Sequence, residues 1–567
     1  MRRRATAARR ATVGPLKELL ALLAEFGPGA AARKLALLSE LDGIDLDRAR
    51  DLSTLQRIAC FLRAFPDDQR VERQARRLAA GFAERVARLP RGERAKLDDT
   101  GMAGTTTRHV YSFAGAQWLA RRYPDTTEID WKGYGSPASL SALLQPLLDP
   151  FEDEHTEFDA AGVRAWIRIA KGGRAGSDLR WLLAQAPAGA KDARAFEQSY
   201  DAAEVPIEWR IGSGRAAIAN NALVQPLQCR AGGMRRPDTD PAAAIREPLS
   251  GICLLSRREA VRLLDVWRTA LWSRTRNVFQ MEQANLDECY LCDFGRGLAM
   301  AAVGVRPSMR SALEVNYGYL LLANGMPIGY GGFTTLFYQV NTGINVFPEY
   351  RGGEAAYAFE QALRAMRALT GCDHVIINPY QFGAGNDEAL KSGSYWFYYR
   401  LGFRSVDAGV GELAAREFGR MRETRGYRVP IATLRGLALC DLRLDLSDRV
   451  DRLFDEAWLP VLGRGVTAAI ARESAVNRGR ALAQLTRRIA KLLDVDLTRW
   501  SARERTGFAQ FAPILAQIED LARWPAEDRR ALAELARARW AANERDFAAR
   551  MRAHGRLRLA LMRAATV

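Results

Sequence analysis

Asn324-Gly325 separates two apolar runs, Val315 to Ala323 (VNYGYLLLA) and Pro327 to Phe337, and constrains the middle of this chain more than any other feature. Both positions tolerate positive φ, which the tight turn of a two-stranded hairpin requires. A third run, Asn341 to Phe347, has the same strand character and ends at Phe347-Pro348. Tyr350-Arg351-Gly352-Gly353 then turns straight into a helical pattern. From Glu354 to Leu369, the residues Phe359, Ala362, Leu363, Met366 and Leu369 fall on one helix face, and Gly371 stands where a left-handed C-cap belongs. HVIINP (374–379) is a short apolar run of strand type, and another strand is expected from Arg404. Strand, helix, strand in this order predicts an α/β domain with a β-α-β crossover at its centre.

The chain has 567 residues, a length at which more than one hydrophobic core is expected. Four segments are expected. Residues 1–100 are helical: PLKELLALLAEFG places Leu16, Leu19, Leu20, Leu23 and Phe26 at helix spacing before Gly27-Pro28, and later stretches repeat the pattern. Residues 101–248 mix strand and helix signals and end in QCRAGGMRRPDTDPAAAIREP, read as a loop or linker at 229–248. Residues 249–445 carry the α/β pattern. Residues 446–567 return to amphipathic helices. The acidic stretch FEDEHTEF (151–158) matches no ligand spacing and reads as a solvated helix start.

A net charge of +17 raises nucleic acid or a phosphate-bearing ligand as a partner. Only eight of the 83 basic residues are lysine, however, and alanine is also abundant. A bias of that kind reflects composition rather than a binding site, so nucleic acid is not favoured. The basic stretch at residues 1–10 reads as a solvated terminus. Seven scattered cysteines make no disulfide framework, which fits a cytoplasmic protein. Cys289 and Cys292 read as packed strand thiols rather than half of a zinc site. No apolar run is long enough for a membrane span, and no metal is expected.

The turn before the helix carries chemistry. N–H groups at a helix start lack internal partners, glycines let a ligand approach them, and the helix dipole favours negative charge. Such a turn suits a phosphate or pyrophosphate, and Arg351 adds a charge. The hairpin around NGMPIGYGG, the following strand, V-x-P-x-Y-R-G, the helix, the short strand and FYYRLGF (397–403) together resemble the GNAT superfamily of N-acyltransferases, over about residues 312–410.

That resemblance implies a mixed sheet with helices on both faces and an acyl-coenzyme A co-substrate, most simply acetyl-coenzyme A. The pyrophosphate would lie on Arg351, Gly352, Gly353, Glu354, Ala355 and Ala356. The pantetheine arm would run along Asn345, Val346 and Phe347. Tyr398 would protonate the departing thiolate, although the adjacent Tyr399 leaves open which ring faces the site. An amine would attack the thioester directly, so no nucleophile in the protein is needed. A tyrosine hydroxyl remains protonated near neutral pH and can serve as the acid. The segment PYQFGAGNDEALKSGS (379–394) could bind the acceptor, and Asp373 and His374 are base candidates by proximity alone. Glu354 departs from the family's turn, where a carboxylate would repel pyrophosphate. Two other expectations stand beside the enzyme: a coenzyme A sensor or scaffold without catalysis, and a tRNA- or nucleic-acid-directed transferase.

Overall fold

The computed structural model of the chain describes residues 13–159, 162–173, 176–187, 190–447 and 453–566; the basic stretch at 1–10 lies outside the described residues. Three strands, β1 (Thr106–Val110), β2 (Thr127–Ile129) and β3 (Pro206–Arg210), form a small antiparallel sheet in the order β1-β3-β2. They belong to the segment 101–248, whose sequence signals were mixed. The large sheet is built from β4 (Ile252–Leu254), β5 (Ala284–Asp293), β6 (Leu298–Val305), β7 (Val315–Ala323), β8 (Met326–Leu336), β9 (Gln339–Thr342), β10 (Asn345–Val346), β11 (His374–Ile377), β12 (Arg404–Ser405) and β13 (Leu442–Asp445). Its order is β12-β13-β11-β9-β8-β7-β6-β5-β4, with β10 on β8. All these pairings are antiparallel except that of β9 with β11.

The helices used below are α1 (Ala49–Ala64), α2 (Arg257–Trp272), α3 (Ala355–Thr370), α4 (Ser394–Arg400), α5 (Ala526–Ala541) and α6 (Glu544–Ala553). The fold is therefore mixed α/β, with a central mixed sheet and many helices. The core is continuous from Leu16 in the N-terminal helices, through the sheet, to Ala565 near the C-terminus. Among the described residues no helix is long and apolar enough to cross a membrane.

Local chemistry accounts for the crossover. Asn324 and Gly325 take φ of +47° and +75°, as the hairpin turn requires. The turn also anchors the rest of the chain. Asn324 Nδ2 donates to the Ala64 and Gln228 carbonyls at 2.9 and 3.0 Å, and a Cβ on Gly325 would lie 2.0 Å from the Leu223 oxygen. Helix α3 buries Phe359, Ala362, Leu363, Met366 and Leu369, the face its spacing predicts, and ends at Gly371 with φ +70°. β6 is buried along its whole length, which is why LAMAAVGV is an unbroken apolar run without alternation.

The expected strand from Asn341 to Phe347 is interrupted. β9 and β10 are separated by Gly343-Ile344, because the Tyr319 hydroxyl reaches across from β7 and donates to the Gly343 carbonyl at 2.5 Å. A Cβ on Gly331 would lie 2.5 Å from both oxygens of that bond, so the glycine in NGMPIGYGG makes room for it. On β5, Cys289 and Cys292 are both buried and pair with Val303 and Met300 in regular register. Three residues apart on a strand, they point to opposite faces and cannot share a ligand. The stretch at 151–158 begins in a helix, Pro150–His155, capped by Asp149 and Glu152 and facing solvent.

The C-terminal helices dock through buried polar groups. Gln339 exchanges hydrogen bonds with the backbone of Phe454, at 2.7 and 2.8 Å. Glu288 of β5 accepts from the Tyr317 hydroxyl at 2.6 Å, from Arg310 at 3.0 Å and from the Glu544 backbone at 2.6 Å. Arg539 of α5 pairs with Glu544 of α6 at 2.6 Å, both fully buried. Burial pushes the Glu288 carboxyl up to about 7, although its donors and Arg310 oppose the shift.

Candidate functional site

β9 and β11 run parallel over 339–342 and 374–377. After Thr342 the chain breaks step at Gly343-Ile344, and among the described strands β10 pairs with β8 alone. The two parallel strands therefore part at their C-terminal ends, where ligands of open α/β sheets bind. A cavity of about 660 Å³ opens there, lined by Asn345, Val346, Gly352, Ala355, Ala356 and Tyr398.

Helix α3 presents its start to this cavity, with the N–H groups of Ala355 and Ala356 among those that no helix can satisfy internally. Gly352 has φ +92° with open space where a Cβ would be, so the conformation selects glycine and leaves the backbone accessible. Arg236, Arg351 and Arg400 also line the cavity. Arg351 is exposed and pairs with exposed Glu388 at 2.9 Å. Gly352, the start of α3 and three guanidinium groups thus line the cavity together with the carboxylates of Asp238 and Glu388.

Three of the expected ligand residues, two in the turn and one on the preceding strand, face elsewhere. A Cβ on Gly353 would meet the Phe65 ring and the Tyr350 carbonyl at 3.1 Å, so this glycine lets the end of α1 pack closely. Glu354 turns its carboxylate inward, where it is 1% exposed. It accepts two bonds from Arg230 at 2.8 Å and further bonds from the Arg235 backbone and guanidinium at 2.8–3.0 Å. The carboxylate is thus neutralised away from the cavity, and the 229–248 segment is tied to the start of α3. Phe347 is buried beneath the Arg274 guanidinium, 4.1 Å from its ring centre, and lines a second cavity instead.

Tyr398 lies on α4 within a cluster that includes Phe359, Phe382, Phe397 and Phe403. Its hydroxyl accepts from the Ile344 N–H at 3.4 Å, at the point where the strands part. Among the described residues no acceptor takes the hydroxyl's own proton. Burial raises its pKa well above the ordinary tyrosine value. Tyr399 points away: its ring stacks near Tyr395 and Phe418 and lies under the Arg404 guanidinium at 4.1 Å. Of the two adjacent tyrosines, only Tyr398 lines the cavity.

The base candidates by proximity sit at the wrong end of β11. His374 Nδ1 is 2.6 Å from Asp445, and Asp373 lies 3.7 Å from Arg552. From His374 to the parting of the strands is about 13 Å along the strand. Tyr380, Gln381, Asn386 and Glu388, from the segment 379–394, line the second cavity, which measures about 690 Å³. The two cavities share Asn345, Val346, Arg351, Gln381, Asn386 and Glu388, and so adjoin along β10 and the 379–394 segment. Sequence reasoning missed Arg236 and Arg400, and it missed α1, whose Arg50, Ser53, Thr54 and Arg57 face the second cavity. Their i, i+3, i+4, i+7 spacing was legible, but on a helix it is also the pattern of an ordinary solvated face. Among the described residues no group of three or more His, Cys, Asp or Glu side chains is arranged to hold a metal ion.

No family model, curated protein or solved structure matches the chain.

Proposed function

We propose that this chain is an acyl-coenzyme A-dependent N-acyltransferase with a GNAT-type central domain. The observation that carries this reading is the parting of β9 and β11 at Gly343-Ile344 beside the Tyr398 hydroxyl, with the start of α3 lining the same cavity.

The residues present suit acyl-coenzyme A. The N–H groups of Ala355 and Ala356, with Gly352 and the guanidinium groups of Arg236, Arg351 and Arg400, would hold the phosphates. The backbone of Asn345 and Val346, unpaired on the β11 side, would bond the amide-bearing arm. When bound, the co-substrate supplies an acyl thioester; its carbon–sulfur bond breaks as a bond to the acceptor nitrogen forms. Tyr398 gives the departing sulfur a proton, because its hydroxyl stays neutral and has a proton to donate. The proton released by the amine passes to water, which restores the tyrosine. The inward turn of Glu354 removes the repulsion that favoured a non-catalytic sensor.

Calorimetric titration with acetyl-coenzyme A tests this reading, with Ala356→Glu as the control. A glutamate in the first turn of α3 favours the helix dipole, so the fold is expected to survive. The same carboxylate would face the phosphates and weaken binding by about tenfold or more. Absence of binding to the wild-type protein, or equal affinity in the variant, would refute the site.

A further inference from the structure

We propose that the second cavity holds the acceptor, and that this acceptor is a small amine carrying an anionic group, carboxylate or phosphate. The inference deepens the acyltransferase reading and rests on it for the acceptor role. Five arginines line the cavity, Arg50, Arg57, Arg274, Arg276 and Arg351, against three carboxylates, Asp99, Glu349 and Glu388. Two of the carboxylates are already engaged: Glu349 with Arg274 at 3.4 Å and Glu388 with Arg351 at 2.9 Å. Asp99 accepts from the Arg108 backbone at 2.7 Å. Among the described residues Arg50, Arg57 and Arg276 have no carboxylate partner, so the cavity carries uncompensated positive charge.

The arginine content of the whole chain does not explain this arrangement. Arg50 and Arg57 converge from one face of α1, with Ser53 and Thr54 between them. Beside them Gln56 is 4% exposed, and among the described residues its side-chain oxygen has no partner. The buried Nε of Arg57 and that of Arg274 are also without acceptors among the described residues. Unpaired buried polar atoms cost free energy, and a ligand with both donors and acceptors would relieve that cost. The volume of about 690 Å³ suits a small molecule. The N-terminal helical segment thereby gains a role: α1 is the wall that selects the acceptor.

The test uses the full-length protein in the Ala356→Glu background, which disfavours phosphate at the start of α3. Thermal shift is followed against inorganic phosphate, succinate, ethylenediamine and tRNA, with and without the pair Arg50→Met and Arg57→Met. Methionine keeps the apolar stem of each side chain. Phosphate or succinate is expected to stabilise the protein, and whichever is tighter identifies the anion. The double variant is expected to bind that anion about tenfold more weakly, the loss of roughly one charge-assisted hydrogen bond. Stabilisation by ethylenediamine alone, by tRNA alone, or by no probe would overturn the inference, as would undiminished anion affinity in the double variant. No arm contains coenzyme A, so the result stands apart from whether acetyl-coenzyme A binds.

Discussion

Replacing Tyr398 by phenylalanine is expected to lower kcat for acyl transfer by about 10²- to 10⁴-fold, the usual contribution of a positioned general acid. The ring sits among four phenylalanines, and its hydroxyl only accepts one long bond, from Ile344 at 3.4 Å. Deleting that oxygen therefore costs the fold little, and acetyl-coenzyme A affinity is expected to change much less than kcat. Because burial raises the Tyr398 pKa, the hydroxyl remains protonated through the accessible alkaline range. A wild-type pH–rate profile should show no descending limb from this group up to about pH 10, the ordinary tyrosine value. Steady-state kinetics on both proteins checks the two expectations together. An unchanged kcat in the variant would remove Tyr398 from the chemistry.

The second large effect concerns the docking of the C-terminal helices. Glu544→Gln is expected to destabilise the protein by about 3–5 kcal/mol, the cost of leaving a buried charge without its partner. Arg539 is fully buried; among the described residues its Nε and Nη1 have no acceptor and its ion pair is to Glu544 alone. Replacing both Arg539 and Glu544 by methionine is expected to recover most of that loss, since a buried ion pair is often no better than packed apolar groups. Urea unfolding of the three proteins measures this directly. A double variant as unstable as the single one would mean that the surrounding network, through Glu288 and Arg310, depends on the charges themselves.

Features governed by neighbours in the chain were legible in the sequence. The Asn324-Gly325 turn, the buried face of α3 and its Gly371 cap depend on φ preferences and helical spacing within a few residues. The candidate site was legible in the turn, at Arg351 and Gly352, which follow such signals; Asn345, Val346, Ala355, Ala356 and Tyr398, implied by the resemblance, line the same cavity. The break between β9 and β10 was not, because it is made by Tyr319 from a neighbouring strand and by the room that Gly331 leaves. Nor was the orientation of Glu354, which is set by Arg230, 124 residues earlier in the chain. The strand Leu442–Asp445, which pairs with β11, falls where the sequence turns toward the C-terminal helices; only its pairing partner identifies it. The second cavity was hidden for the same reason: its walls come from α1, the segment after α2, β10 and the 379–394 segment.

A structure of the full-length protein with coenzyme A bound tests the central claim most directly. The sulfur is expected beside the Tyr398 hydroxyl at the parting of β9 and β11, with the phosphates on Gly352, Ala355 and Ala356. Coenzyme A in the cavity walled by α1, or a sulfur beyond hydrogen-bond reach of Tyr398, would contradict it.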